Sequence, residues 1–438
     1  MNHAHPLPVA VIGAGPVGLA AAAHLLARDL QPLVFEAGNA VGASIRQWGH
    51  VRVFSPWEFN LDPAAVALLE RHGWAAPEQD GYPTGHELVE RYLEPLAAVP
   101  DIERALRLTA TVTGVTRAGI DKLKDEGRNE APFELVVRER GEERRYLASA
   151  VIDASGTWTR PNPLGAGLPA TGERALADRI DYGIPDVLGD ARERYAGKRV
   201  VVVGSGHSAF NAILDLVALR ESEPATQIVW AIRGGAPGRR YGGGGDDQLP
   251  ERGALGAAVR GLVEDGSIAL TTGFQTRSVT SSGERLVLGD GEREVVADRV
   301  IAATGFRPDL SLLGELRLDL DDRVEAARAL APLIDPNQHS CGSVPPHGVD
   351  ELSHPDRGVY MVGMKSYGRA PTFLLRTGYE QTRSVVAALA GDWEAARRVE
   401  LVLPETGVCN RTGAAADTGA AGAACCGTIE ELVDIEVR

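Results

Sequence analysis

Residues 9–29 read VAVIGAGPVGLAAAAHLLARD. The apolar run Val9 to Ile12 stops at Gly13 and an Ala-rich helical stretch follows, so the segment is strand, tight turn, helix. A second strand-like run, PLVFE, ends at Glu36. Gly13, Gly15 and Gly18 therefore stand in GxGxxG register between strand and helix, with an acid about 20 positions on. Gly13 permits the sharp turn, Gly15 lets backbone approach a pyrophosphate, and Gly18 lets helix and strand pack closely. The turn residues Gly13, Ala14, Gly15, Pro16, Val17 and Gly18 then offer free N–H groups and a positive dipole end to phosphates. Glu36 suits an unphosphorylated ribose, as in FAD or NAD; the alternative is a glycine turn kept only for packing.

Residues 198–218, KRVVVVGSGHSAFNAILDLVA, repeat the pattern. Gly204, Ser205, Gly206, His207, Ser208 and Ala209 form the second turn, with Ala209 at the third glycine position, where only helix–strand spacing is set. The next strand-like run, QIVWAIR, ends in Arg233 where an acid would select NAD, and Arg239 and Arg240 follow. Guanidinium forks match the 2′-phosphate of NADPH; a solvated basic loop is the alternative. Two more runs end in small residues and glycine: SAVIDASGTWTRP, with Asp153 to Gly156, and DRVIAATGFRPD, with Ala302 to Gly305. Both read as strands that close one domain and pass the chain to the next. A last strand, GVYMVG at 358–363, precedes a helix expected from near Pro371 to Gly391.

The 438-residue chain carries 45 Lys+Arg and 60 Asp+Glu, a formal charge of −15, which excludes a nucleic-acid binder working through a basic surface. Hydrophobic residues at 44% and charged ones at 24% are ordinary for a soluble globular protein and exclude disorder along the whole chain. No apolar run reaches the roughly 18 residues of a membrane span, and a strand-like segment begins close to Met1, so no membrane association and a cytoplasmic location are expected. The four cysteines, Cys341, Cys409, Cys425 and Cys426, do not form a secreted disulfide framework. The string LPETG at 403–407 mimics a sortase signal, but no apolar span and basic tail follow it.

The two glycine turns, the ASG and ATG strand ends and the late strand and helix resemble the two-dinucleotide-binding-domain flavoproteins across about residues 7 to 395. GTWTRPNP, GSGHSA and ATGFRPD resemble the flavin-containing monooxygenase branch, with N-hydroxylases as relatives. GMKSYGRAPTFLLRTGYEQTR and a Cys-containing tail are similar, more narrowly, to flavin monooxygenases associated with arsenic resistance. Two features depart from relatives. The branch's FxGxxxH segment is replaced by LPATGERALADRIDYGIPD, and the GD pair of disulfide-reductase cousins is replaced by Gly363 and Met364. A CxxC or CxxxxC spacing is absent from the sequence, which argues against flavin-to-disulfide chemistry.

The resemblance implies an α/β fold of three-layer type with two Rossmann-like domains. The FAD domain would hold residues 1–165 and 298–395, the NADPH domain 166–297, and a flexible Gly/Ala-rich tail 396–438. It implies FAD contacts beyond the first turn: Arg46, Gln47 and Trp48 with the segment Arg52 to Ser55 beside the flavin ring, and Thr111 and Val112 beside the adenine. Ala154, Ser155 and Gly156, then Gly363 and Met364, complete the crevice, and Thr372, Phe373 and Leu374 start a helix aimed at the flavin. Ala303, Thr304 and Gly305 would border NADPH. Trp48, Arg52 and Ser55 are the flavin neighbours chosen nearest the chemistry, and no nucleophilic triad is required. Core packing is the alternative role for Trp48.

The activity implied is an NADPH-dependent monooxygenase in which a flavin hydroperoxide oxidises a soft heteroatom, trivalent arsenic, sulfur or nitrogen. The partners would be a small-molecule substrate and dioxygen, without nucleic acid; a homodimer is left open. A reductase passing electrons to a metalloid, quinone or partner protein is a second reading, and a metalloid- or redox-sensing binding protein a third. Cys341 and His347, with His339 and His354 in the same Pro-rich loop, and the tail thiols Cys409, Cys425 and Cys426 are the candidate substrate contacts. Their spacing matches no standard zinc pattern, so no resident metal is assigned.

Overall fold

The computed structural model describes residues 6–235, 238–242, 247, 249–338, 344–371 and 373–401, without the side chains of 239 and 240. His339, Thr372 and all four cysteines lie outside the described residues.

Two five-stranded parallel sheets organise the chain. The first runs Val359–Met361, Ala150–Asp153, Val9–Ile12, Pro32–Phe35, Leu106–Arg107 across its width. The second runs Ala269–Thr271, Gln227–Ala231, Arg199–Val203, Arg299–Ala302, Ile180–Tyr182. Strand alternation feeds a layer on each side of each sheet. Val9 and Val11 face the helices Pro16–Leu26 and Leu375–Leu389, while Ala10 and Ile12 face an antiparallel meander of Ala110–Arg117, Phe133–Glu139 and Glu142–Ala148. In the second domain, Val200 and Val202 pack with helix His207–Ser222, and Val201 and Val203 with the meander of Ser278–Ser282, Arg285–Gly289 and Glu294–Ala297. Each fully buried Val or Ile contributes about 2 kcal/mol of transfer free energy. The fold is the expected three-layer α/β arrangement, built twice.

Three boundaries differ from the sequence reading. Arg299–Ala302 pairs with Arg199–Val203 and Ile180–Tyr182, so the return to the first domain follows Ala302 and does not begin at 298. Val300 and Ala302 are committed to the second core, which holds this strand there. The last long helix starts at Leu375 and not near Pro371. Past 396, Trp393–Arg397 is still helical and Leu401 is buried. Gly391, at φ +83°, ends the long helix as expected.

The chain crosses between the domains twice, and the crossings pair. Asn162 N–H donates to Gly305 O at 2.9 Å, Arg307 N–H to Arg160 O at 3.0 Å, and Pro161 faces Phe306 in an antiparallel bridge. Among the described residues, no helix is long and apolar enough to cross a membrane.

Candidate functional site

At the first turn Gly13 has φ +98°, and a Cβ there would stand 2.8 Å from Ala154 O. A Cβ on Gly18 would meet Gly13 O at 1.9 Å, whereas one on Gly15 would meet nothing within 4 Å. Two glycines are thus required by contact, and the middle one opens backbone to a ligand. Helix Pro16–Leu26 begins there with no side-chain cap, leaving its first N–H groups for an anion. Glu36, buried at the neighbouring strand end, accepts from Ala14 N–H and Gly38 N–H, each at 2.8 Å. These features fit a dinucleotide: a phosphate cradle beside a fixed carboxylate. Ala110 N–H donates to Glu36 O, which starts the strand bearing Thr111 and Val112 next to that carboxylate; Val112 itself is core.

The second turn repeats this. Gly204 has φ +135° and its Cβ would lie 2.1 Å from Ala303 O, while Gly206 is open. Helix His207–Ser222 likewise lacks a side-chain cap, and its third residue, Ala209, is buried. Ser205 and Ser208 flank the opening, and Thr304 Oγ1 donates to Asn162 O at 2.5 Å, fixing the turn at Gly305. Arg233 is exposed just beyond the strand end at Ala231; Arg239 and Arg240 sit in a 3₁₀ turn, Gly238–Tyr241.

The loop after Glu36 forms the seam between the domains. Arg46 bonds Val41 O and Glu94, Arg52 bonds Tyr82 O, and buried Ser55 donates to Asn60 Oδ1 at 3.0 Å. Arg46, Arg52 and Ser55 are therefore engaged within their own domain. The Ser55 hydroxyl is buried against Asn60. Trp48 packs over Gly85, where a Cβ would meet its ring at 3.0 Å. Gln47 accepts from Trp158 Nε1–H at 2.9 Å, and Phe54 lies 5.2 Å from the His207 ring across the seam. Burial, then the nearby Arg252, pushes His207 down to about 4, against the pull of Asp247.

Sequence reasoning missed the polar groups behind the last strand. Gly363 N–H donates to Gln381 Oε1 at 2.7 Å, and Gln381 Nε2 reaches Ser366 Oγ at 2.8 Å and His347 Nε2 at 2.9 Å. His347 Nδ1 lies 3.0 Å from Pro345 O, so this nitrogen carries the proton and Nε2 accepts. His347 is thus buried with both ring nitrogens partnered. His354 is also buried, and burial takes it down to about 4. Fully buried Lys365 pairs with Asp153 at 2.6 Å and donates to Ser155 Oγ at 2.9 Å. Only Asp153, a charge closing an apolar strand, gave any hint of this. Met364 follows Gly363, and Phe373 and Leu374 precede the long helix, Phe373 edge-on to Tyr367 at 5.1 Å. Among the described residues no cluster could hold a metal ion.

Known proteins place the fold. Rabbit (Oryctolagus cuniculus) dimethylaniline monooxygenase [N-oxide-forming] 4 is 26% identical over 238 residues, 52% of this chain but only 38% of the rabbit protein. Ferredoxin–NADP reductase of Nocardioides sp. is 27% identical over 326 residues, 74% of this chain and 80% of that protein. Among solved structures, bacillithiol disulfide reductase Bdr of Bacillus cereus aligns with TM-score 0.65 at 20% identity, over 88% of this chain and 99% of its own. The FAD-bound cadaverine monooxygenase of Erwinia amylovora aligns with TM-score 0.60 at 14% identity, over 91% and 98%. A family model described as pyridine nucleotide-disulphide oxidoreductase matches residues 10–340. The family uses FAD and NAD(P)H. With two glycine turns that fit dinucleotides and a matching model over most of its length, the chain belongs to the pyridine nucleotide-disulphide oxidoreductase family.

Proposed function

We propose that this protein is an FAD- and NADPH-dependent monooxygenase that oxidises a soft heteroatom, trivalent arsenic, sulfur or nitrogen. The observation that carries the redox part is the pair of open glycine turns, Gly15 and Gly206, on two sheets joined by a short paired crossing. The monooxygenase part is supported by the N-oxide-forming relatives and by a sequence without a CxxC or CxxxxC pair. The arsenic candidate rests on sequence resemblance alone.

Bound FAD would supply the redox chemistry that links NADPH to dioxygen. The helix start at Gly15 and Pro16 would hold its pyrophosphate and Glu36 its ribose. Arg233, with Arg239 and Arg240, selects the 2′-phosphate of NADPH. Trp48, Phe54 and Trp158 line the seam and keep bulk water from the reacting atoms. The partners are a small-molecule substrate and dioxygen.

Purified protein supplied with NADPH, isotope-labelled dioxygen and arsenite, a thioether or a tertiary amine should yield a singly labelled product with one NADPH consumed per turnover. Ferredoxin–NADP reductase, matched over three quarters of this chain, favours electron transfer without oxygen insertion as the second reading. NADPH oxidation that proceeds anaerobically with a quinone, and never labels a product, would select it.

A further inference from the structure

We propose that the Lys365–Asp153 ion pair is a matched pair of charges sensed by the bound flavin, Lys365 favouring its reduced form and Asp153 opposing it. The proposal rests on the reading that FAD occupies the first glycine turn. Asp153 is the last residue of its strand and stands in register with Ile12 on one side and Met361 on the other. Gly13 follows Ile12, so the carboxylate lies one strand from the phosphate turn. Lys365 lies two residues past Gly363, whose position is fixed by Gln381 and by its close approach to Val17. Both charges therefore sit at the carboxyl edge of a parallel sheet, the edge where such sheets receive ligands.

Their burial is complete, and stability does not explain it. A buried ion pair is generally no more stabilising than apolar side chains of similar volume, because desolvation offsets the attraction. Here the remaining bonds serve the crevice. Ser155 Oγ–H donates to Asp153 Oδ1 at 2.6 Å and accepts from Lys365, and Ser155 N–H donates to the same carboxylate oxygen at 3.1 Å. The pair thereby fixes the Ala154–Ser155 backbone that abuts Gly13. Lys365 spends two of its three donors on Asp153 and Ser155. Charges so poorly screened act over several ångströms.

The test uses the FAD-loaded protein, with the flavin midpoint potential read by dye-coupled spectroscopic titration and FAD affinity measured in parallel. Lys365→Met should lower the potential, and Asp153→Asn should raise it. Each should change the ratio of reduced to oxidised flavin affinity at least tenfold, about 30 mV for the two-electron couple. The double variant should return close to the starting value. Shifts of equal sign, or none, with FAD still bound would overturn the proposal and leave the functional reading standing. A wild-type chain that takes up no FAD would overturn both. Should Lys365→Met fail to fold, Asp153→Asn, equal in volume, decides alone: an upward shift supports the pair and an unchanged potential refutes it.

Discussion

The indole of Trp158 stacks on the phenyl ring of Phe306, with centroids 4.4 Å apart and planes 25° apart. Trp158 belongs to the outgoing domain crossing, Phe306 to the returning one, and the indole N–H is bound to Gln47 in the seam loop. Three segments remote in sequence are pinned where the domains meet. Trp158→Ala removes a stack worth about 0.5–1.5 kcal/mol beyond area burial. Amide hydrogen exchange at Asn162 and Arg307 should then quicken several-fold. Unchanged exchange would mean the backbone pairing closes the crossing by itself.

The two kinds of glycine in the first turn should separate under substitution. Gly18→Ala forces a methyl against Gly13 O and should cost about 1–3 kcal/mol of stability. Gly15→Ala meets no protein atom, so the ligand-free chain should melt as the wild type does while FAD affinity falls at least tenfold. Melting curves with and without FAD distinguish them; a destabilised Gly15→Ala would contradict an open cradle.

Gln381→Leu should destabilise the fold by about 2–4 kcal/mol, because Gly363 N–H and the His347 ring lose buried partners together. Chemical denaturation measures this directly. A loss under about 1 kcal/mol would show that the turn after the last strand can repair its own hydrogen bonding.

Two half-buried groups make opposite pH contributions. His207 is lowered from 6.5 to about 4, so below pH 6.5 the unfolded chain binds a proton that the folded chain refuses, and stability falls with acid. Asp215 is raised from 3.8 to about 6, by burial and then by Asp186, so its folded form keeps a proton the unfolded chain has released. Its contribution is lost as pH rises from about 4 to about 6. Asp215→Asn should therefore stabilise the protein near neutral pH and steepen its acid loss, and His207→Gln should flatten that loss. Thermal melts at a series of pH values read both slopes; parallel curves for all three proteins would contradict the assignment.

Arg233→Ala should raise KM for NADPH several-fold while leaving KM for NADH nearly unchanged. Equal changes with both cofactors would mean that the guanidinium does not read the 2′-phosphate.

Both glycine turns, the acid at Glu36 and the strand ends at Gly156 and Gly305 were legible because each obeys a local rule. A left-handed φ or a clash that any Cβ would make dictates glycine within a few residues of the strand it ends. The short strands Leu106–Arg107 and Ile180–Tyr182 were not legible, since two or three residues carry no period and exist only by pairing with a neighbour already in place. The start of the last helix is ambiguous for a related reason: Pro371 is compatible with a first turn, yet the chain turns helical only at Leu375.

Two dinucleotide folds can be read directly from the residues, because turn, strand and helix signals there are contiguous. What lies behind them depends on contacts between distant segments. Lys365 and Asp153 are 212 positions apart and Trp158 and Gln47 are 111 apart. Gln381, 18 positions past Gly363, turns back onto it from inside a helix. Such partners are chosen by which strands the topology sets side by side, and a charge or amide in one segment carries no local mark of the residue that will satisfy it.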